Sequence, residues 1–140
     1  MFYYHMRVLK YINFKVAIKT IIVLLSCMLI YHLLILSGVI SYQYAWGGRL
    51  ESKKQMLVFE SIGVLITLLI IFVVAIKGNY IKLNIPKILI TVLLWFFAAF
   101  FALNTLGNLQ SINALETLIF TPITIILSLL FIRIAIDKNL

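Results

Sequence analysis

Four stretches of the chain are almost continuously apolar: residues 20–40, 56–76, 88–106 and 117–136. Each is about the 20 residues that a helix needs to cross the hydrocarbon core of a bilayer. Strands of a membrane barrel would alternate polar and apolar positions over about ten residues, and these runs are unbroken for twice that length. The pattern therefore predicts four helices and no strands. Gly78-Asn79 closes the second run, and Pro86 opens the third, since a missing N–H costs nothing in a first helical turn.

Within the runs, small and weakly polar residues fall at helical spacing, as expected where helices meet in lipid. The stripes are Ser26, Ser37 and Ser41 in the first run, and Glu60, Gly63 and Thr67 in the second. Thr91, Trp95, Ala98, Ala102 and Thr105 form the third, and Thr117, Thr121, Thr124 and Ser128 the fourth. Pro122 is expected to loosen the fourth helix and to free a carbonyl there.

Composition agrees with lipid as the solvent. Of 140 residues, 64% are hydrophobic and 11% charged, with a mean hydropathy of +1.16. A soluble domain has about a quarter charged residues. The net charge of +8 does not point to nucleic acid, because the basic residues bracket apolar runs instead of forming a patch. Nine of the twelve, including Arg7, Lys10, Lys77, Lys87 and Arg133, fall on the side of the two termini. Arg49, Lys53 and Lys54 fall on the other, so the positive-inside rule places both termini in the cytoplasm. The aromatic and basic segment 1–19, with Phe2, Tyr3, Tyr4, Tyr11, Lys15 and Lys19, reads as an interfacial arm. Cys27 has no partner for a disulfide or a zinc pattern. Leu24-Leu25-Ser26-Cys27 loosely resembles a lipoprotein cleavage box, but the apolar run continues past the cysteine, which favours a retained span.

Candidate chemistry gathers on the outer side. Tyr42-Gln43-Tyr44-Ala45-Trp46-Gly47-Gly48-Arg49-Leu50-Glu51-Ser52 is richer in aromatic, glycine and charged residues than a connector requires. Gly107-Asn108-Leu109-Gln110-Ser111 echoes its second half. Glu60 lies about one turn inside the second span; it is either a functional carboxylate, an interfacial one that reaches water, or a structural partner of Arg49. Glu116 opens the fourth helix, where the helix dipole alone favours a carboxylate. Two nearby carboxylates could also divide acid and base roles. Asn104 and Asn108 are expected to cap the third helix or to line a polar pocket. Arg49 is expected to pair with Glu51 or Glu60, or to meet an anionic group. His32 lies well inside the first span and off the serine stripe; it is either a bonded neutral histidine or the partner of Glu60 in a proton relay. His5 and His32 lie on opposite sides of the membrane's mid-plane and show no metal spacing, so no metal site is expected, and Gly47-Gly48 without a following GKS or GKT is too short for a phosphate loop.

The set Trp46-Gly47-Gly48-Arg49-Leu50, Phe59-Glu60, Asn104-Thr105-Leu106-Gly107-Asn108, Glu116 and Thr121-Pro122 resembles small four-span bacterial membrane proteins. The resemblance covers the chain from the first loop onward and implies a fold, with no activity attached. In layout the chain is also similar to the four-helix sterol-isomerase and emopamil-binding-like group, which places a histidine and glutamates in a membrane pocket; none of its motifs aligns here. The small multidrug transporters carry their intramembrane glutamate in the first helix, where this chain has none.

The sequence thus predicts an all-α integral membrane bundle of four helices over residues 1–140, N-in and C-in, built as two hairpins in tandem, in a bacterial inner membrane. The expected function is binding of a lipid or other amphiphile in an outer-leaflet pocket lined by Trp46, Arg49, Glu60, Asn104, Asn108 and Glu116, or service as an accessory subunit. An intramembrane acid–base enzyme using His32 and Glu60 is the alternative, and proton-coupled transport ranks below both. No cofactor is expected; the expected partners are membrane lipids, a second copy or another membrane protein.

Overall fold

The computed structural model describes Leu9 and residues 11–137, with Leu115 by its backbone alone. Phe2, Tyr3, Tyr4, His5, Arg7, Lys10 and Lys138 lie outside the described residues. Four helices carry the fold: α1 (Phe14–Leu36), α2 (Lys53–Lys77), α3 (Lys87–Leu109) and α4 (Ala114–Ala135). All four are long and apolar enough to span a membrane, and there is no strand among the described residues.

The helix ends follow from local chemistry. Asn13 caps α1, its side-chain oxygen accepting from the N–H groups of Lys15 and Val16, so the helix begins before the apolar run does. Gly38, at φ +80°, turns the chain out of α1. The helix therefore stops at Leu36, short of the 40 that hydropathy suggests. Ser52 caps α2 through the Gln55 N–H. At the far end of α2, Asn79 takes the left-handed conformation at φ +60°. The Tyr80 N–H bonds the Ala75 carbonyl at 2.9 Å and the Asn79 N–H bonds Ile76 at 3.0 Å, which closes a Schellman turn. Pro122 lies inside α4, which continues past it to Ala135.

Burial repeats along the helices at spacings of three and four residues, which makes one packing seam on each. In α1 the seam is Ile18, Ile21, Leu25, Met28, His32 and Ile35; in α2 it is Met56, Glu60, Gly63, Thr67, Ile70 and Val74. In α3 it is Ile90, Leu94, Phe97, Phe101, Asn104 and Asn108; in α4 it is Phe120, Thr124, Leu127, Phe131 and Ile134. Two expected stripes are corrected here. Ser37 and Ser41 lie beyond the end of α1, so a phase counted from them cannot describe the helix, and the true seam carries His32 inward. In α3 both Trp95 and Ala102 are exposed, because the large residues one position away pack better against the aromatic core.

Each seam changes character along its length. Toward the chain termini it is aliphatic and aromatic. Phe101 stacks on Phe131 with centroids 5.5 Å apart, and Phe97 meets Phe131 edge-on at 5.6 Å. This dry block is closed at its end by three polar groups. Arg133 donates from Nε to the Ile12 carbonyl at 2.7 Å and from Nη1 to Asp137 at 2.8 Å, while buried Lys77 donates to the Asp137 carbonyl at 2.7 Å. These bonds hold both ends of the described chain at one end of the bundle. Toward the loops 37–52 and 110–113 the seams carry polar groups, His32, Glu60, Thr67, Asn104, Asn108 and Thr124, with the apolar Ile35 and Met56 beyond them in α1 and α2.

Neighbouring contacts are uneven. α3 packs most extensively on α4, α1 on α2, and α1 also on α4, whereas α2 and α3 touch sparsely. The outward faces remain apolar, with Leu65, Ile88 and Leu118 at 67%, 71% and 74% exposure; lipid solvates such surface and water does not.

Candidate functional site

The polar halves of the seams enclose a cavity of about 470 Å³ beneath the loop 37–52. Trp46, Arg49, Glu60, Asn104, Asn108 and Glu116 all line it, and so does His32. A pocket of this volume matches the size of ordinary small-molecule sites.

Glu60 is at its centre. The residue is fully buried, at 0% exposure, and both carboxylate oxygens are engaged. His32 Nδ1 lies 2.6 Å from Oε2, a distance that suits an N–H donating to a carboxylate. The Trp46 indole Nε1–H donates to Oε1 at 2.8 Å. Gly63 makes room for the histidine: a Cβ there would stand 2.9 Å from Cε1 of the imidazole and 3.2 Å from each nitrogen. One turn of α2 thus supplies the carboxylate and, three residues on, the missing side chain that seats its partner.

Glu116 works from the opposite helix. Its Oε2 accepts from the Gly47 N–H at 2.8 Å and from the Ser111 hydroxyl at 2.7 Å. The Gly47 carbonyl in turn accepts from the Ile112 N–H at 3.2 Å, and Arg49 donates to the Gln110 carbonyl at 3.1 Å. The Trp46-Gly47-Gly48-Arg49 stretch and its echo therefore dock on one another across the mouth of the cavity. Trp46, Gly47 and Gly48 all have left-handed backbone, at φ +55°, +74° and +71°. Glycine takes that conformation freely, but at Trp46 it carries strain of about 1–2 kcal/mol. The bonds of Glu60 to the indole and of Glu116 to the next peptide hold it there.

The remaining wall is aromatic and weakly polar. Tyr31 packs on Phe120 with centroids 4.9 Å apart and donates to the Tyr44 carbonyl at 2.7 Å. Trp46 meets Phe59 edge-on at 5.1 Å. Thr105 and Asn108 both donate to the Thr124 hydroxyl, at 2.9 and 3.3 Å, tying α3 to α4 at the floor. Phe59, Ile62 and Ile66 of α2 and Phe100 and Gly107 of α3 also line the cavity.

Three sequence expectations change. Asn104 and Asn108 do not cap α3, which continues to Leu109 and ends at Gln110; both stand inside it, on its buried seam. Arg49 pairs with neither Glu51 nor Glu60, because the docking of the two loops brings the Gln110 carbonyl to it. His32 faces α2, whereas its phase against the serines places it off the packing face. Tyr31, Gly63 as the seat of His32, and Ser111 as a clamp on Glu116 were not visible beforehand. The spacing of His32 from Leu25 and Met28 is the signal that could have found its direction.

Two carboxylates, an imidazole and an indole in one cavity can bind a polar headgroup or move a proton. Among the described residues no cluster of three metal-ligating side chains occurs. In comparison with known proteins, no family model, no curated protein and no solved structure matches this chain.

Proposed function

We propose that this chain is a multi-pass protein of the bacterial inner membrane that binds an amphiphilic molecule in the cavity at its outer end. Both termini lie in the cytoplasm on this reading, from the distribution of basic residues. The observation that carries it is the division of the bundle: a largely apolar, aromatic cavity with a cluster of polar groups lies above a dry block, and α2 and α3, which both line it, touch only sparsely. Such a site admits a headgroup to the polar end while a hydrocarbon chain passes sideways into the bilayer. The dry block argues against a polar path across the membrane, so transport ranks lowest.

Thermal unfolding of the purified protein in a neutral maltoside detergent tests this reading. A panel of lipids and quinones that raises the midpoint for one class supports it, since a ligand that binds only the folded state stabilises by mass action. An unchanged midpoint across the panel counts against it and moves weight to an accessory-subunit role or a self-assembling one.

The 2.6 Å contact of His32 with Glu60 favours a second reading, an intramembrane acid–base enzyme. Glu60 would hold the imidazole through Nδ1, leaving Nε2 to take a proton from a bound substrate. Incorporation of deuterium from heavy water into a co-purifying ligand, lost in His32→Gln, tests it. Absence of exchange in a protein that retains its ligand refutes it.

A further inference from the structure

Resting on the amphiphile reading of the cavity, we propose that its headgroup subsite takes a positively charged nitrogen bearing N–H donors, the ammonium of a single-chain amphiphile whose tail leaves between α2 and α3. The polar wall holds acceptors that a donor-bearing headgroup can use. Glu116 spends Oε2 on Gly47 and Ser111, while its Oε1 accepts from no described residue. Asn104 also lines the cavity, and its side-chain carbonyl offers another acceptor. Glu60, with both oxygens already engaged, adds a second carboxylate to the same wall.

The charge balance has the same sense. Of the two carboxylates, Glu60 has the His32 imidazole 2.6 Å away, whereas an anion would stand against Glu116 and an uncharged hydroxyl could donate to it without balancing its charge. The guanidinium on the wall, that of Arg49, belongs to an exposed residue and is turned to the Gln110 carbonyl of the other loop. Tyr31, Trp46, Phe59, Phe100 and Phe120 supply ring faces or edges around the space, and ring faces attract a desolvated cation. Apolar side chains of α2 and α3, Phe59, Ile62, Ile66 and Phe100, also line the cavity, and they suit a hydrocarbon chain.

The full-length Trp95→Phe protein in maltoside micelles leaves Trp46 as its single tryptophan, so its emission reports the cavity. Titration with dodecylammonium, dodecyl sulfate and dodecanol separates headgroup from chain. The net charge of +8 favours the sulfate non-specifically, so a preference for ammonium reports the site. The expected result is a saturable change with dodecylammonium at least about tenfold tighter than with the other two, as charge-assisted hydrogen bonds allow. Glu116→Gln, which keeps an oxygen for Gly47 and Ser111, should weaken it by about tenfold; Asn104→Leu provides a second variant, expected to weaken it to a smaller degree, should the first fail to fold. Equal binding of dodecanol or dodecyl sulfate overturns the ammonium assignment and leaves the amphiphile reading standing. No saturable response to any of the three overturns both.

Discussion

Replacing Gly63 by alanine tests whether the seat of His32 controls the centre of the cavity. The added methyl would stand 2.9 Å from Cε1 of the imidazole and 3.2 Å from its two nitrogens. Ordinary carbon contacts begin near 3.5 Å, so the ring must retreat by about half an ångström or more. It is not free to do so, because Nδ1 is held 2.6 Å from Glu60. Loss of a hydrogen bond to a charged group costs about 1.5–3 kcal/mol. Alanine in place of glycine in a helix returns about 1 kcal/mol. The net expectation is a destabilisation of about 1 kcal/mol, small enough that a single variant would not identify its cause. A double-mutant cycle does. In a His32→Ala background the obstructing ring is gone, so Gly63→Ala should be neutral or stabilising. The coupling between the two sites should reach about 1–2 kcal/mol, within the range for residues in contact. Thermal or denaturant unfolding of all four proteins in one detergent measures it. Equal destabilisation by Gly63→Ala in both backgrounds would refute the reasoning and place the cost of the methyl elsewhere.

Further expectations follow from the loops and the terminal end. Gly47→Ala should destabilise by about 1 kcal/mol or more, because the residue sits at φ +74° where a Cβ is strained; a lowered unfolding midpoint checks it. Glu116→Ala removes the acceptor of the Gly47 N–H and the Ser111 hydroxyl, so tryptic cleavage after Arg49 should accelerate while the helical circular dichroism is retained. Arg133→Ala should cost about 2–3 kcal/mol, since it abandons the Ile12 carbonyl and the Asp137 carboxylate together; an unchanged midpoint would show that the latch contributes nothing.

The helices were legible because hydropathy dominates at the scale of a bilayer. The four apolar runs become the four observed helices, with ends displaced by up to six residues wherever a cap or a left-handed residue decides. Asn13 extends α1 at one end and Gly38 cuts it at the other, and neither effect belongs to hydropathy. Helix facing was less legible. In α2 the stripe of Glu60, Gly63 and Thr67 is the observed seam, because small and polar residues mark it against a surround of large ones. In α3 the seam is made by Ile90, Leu94, Phe97 and Phe101, residues indistinguishable in hydropathy from those facing lipid. The polar residues suggested beforehand do converge on one cavity. Their partners could not be anticipated: that Arg49 reaches Gln110, or that Glu116 bonds Gly47, depends on a docking between segments some sixty residues apart in sequence.

Native mass spectrometry of the wild type beside Glu60→Gln tests the central claim most directly. The substitution keeps the shape of the side chain while removing its charge from the wall of the cavity. A small molecule with a hydrocarbon chain retained by the wild type and lost from the variant is the predicted result, and its mass would identify the headgroup. Two folded proteins that both emerge free of any ligand, or that both retain the same one, would contradict the claim that Glu60 anchors a binding site.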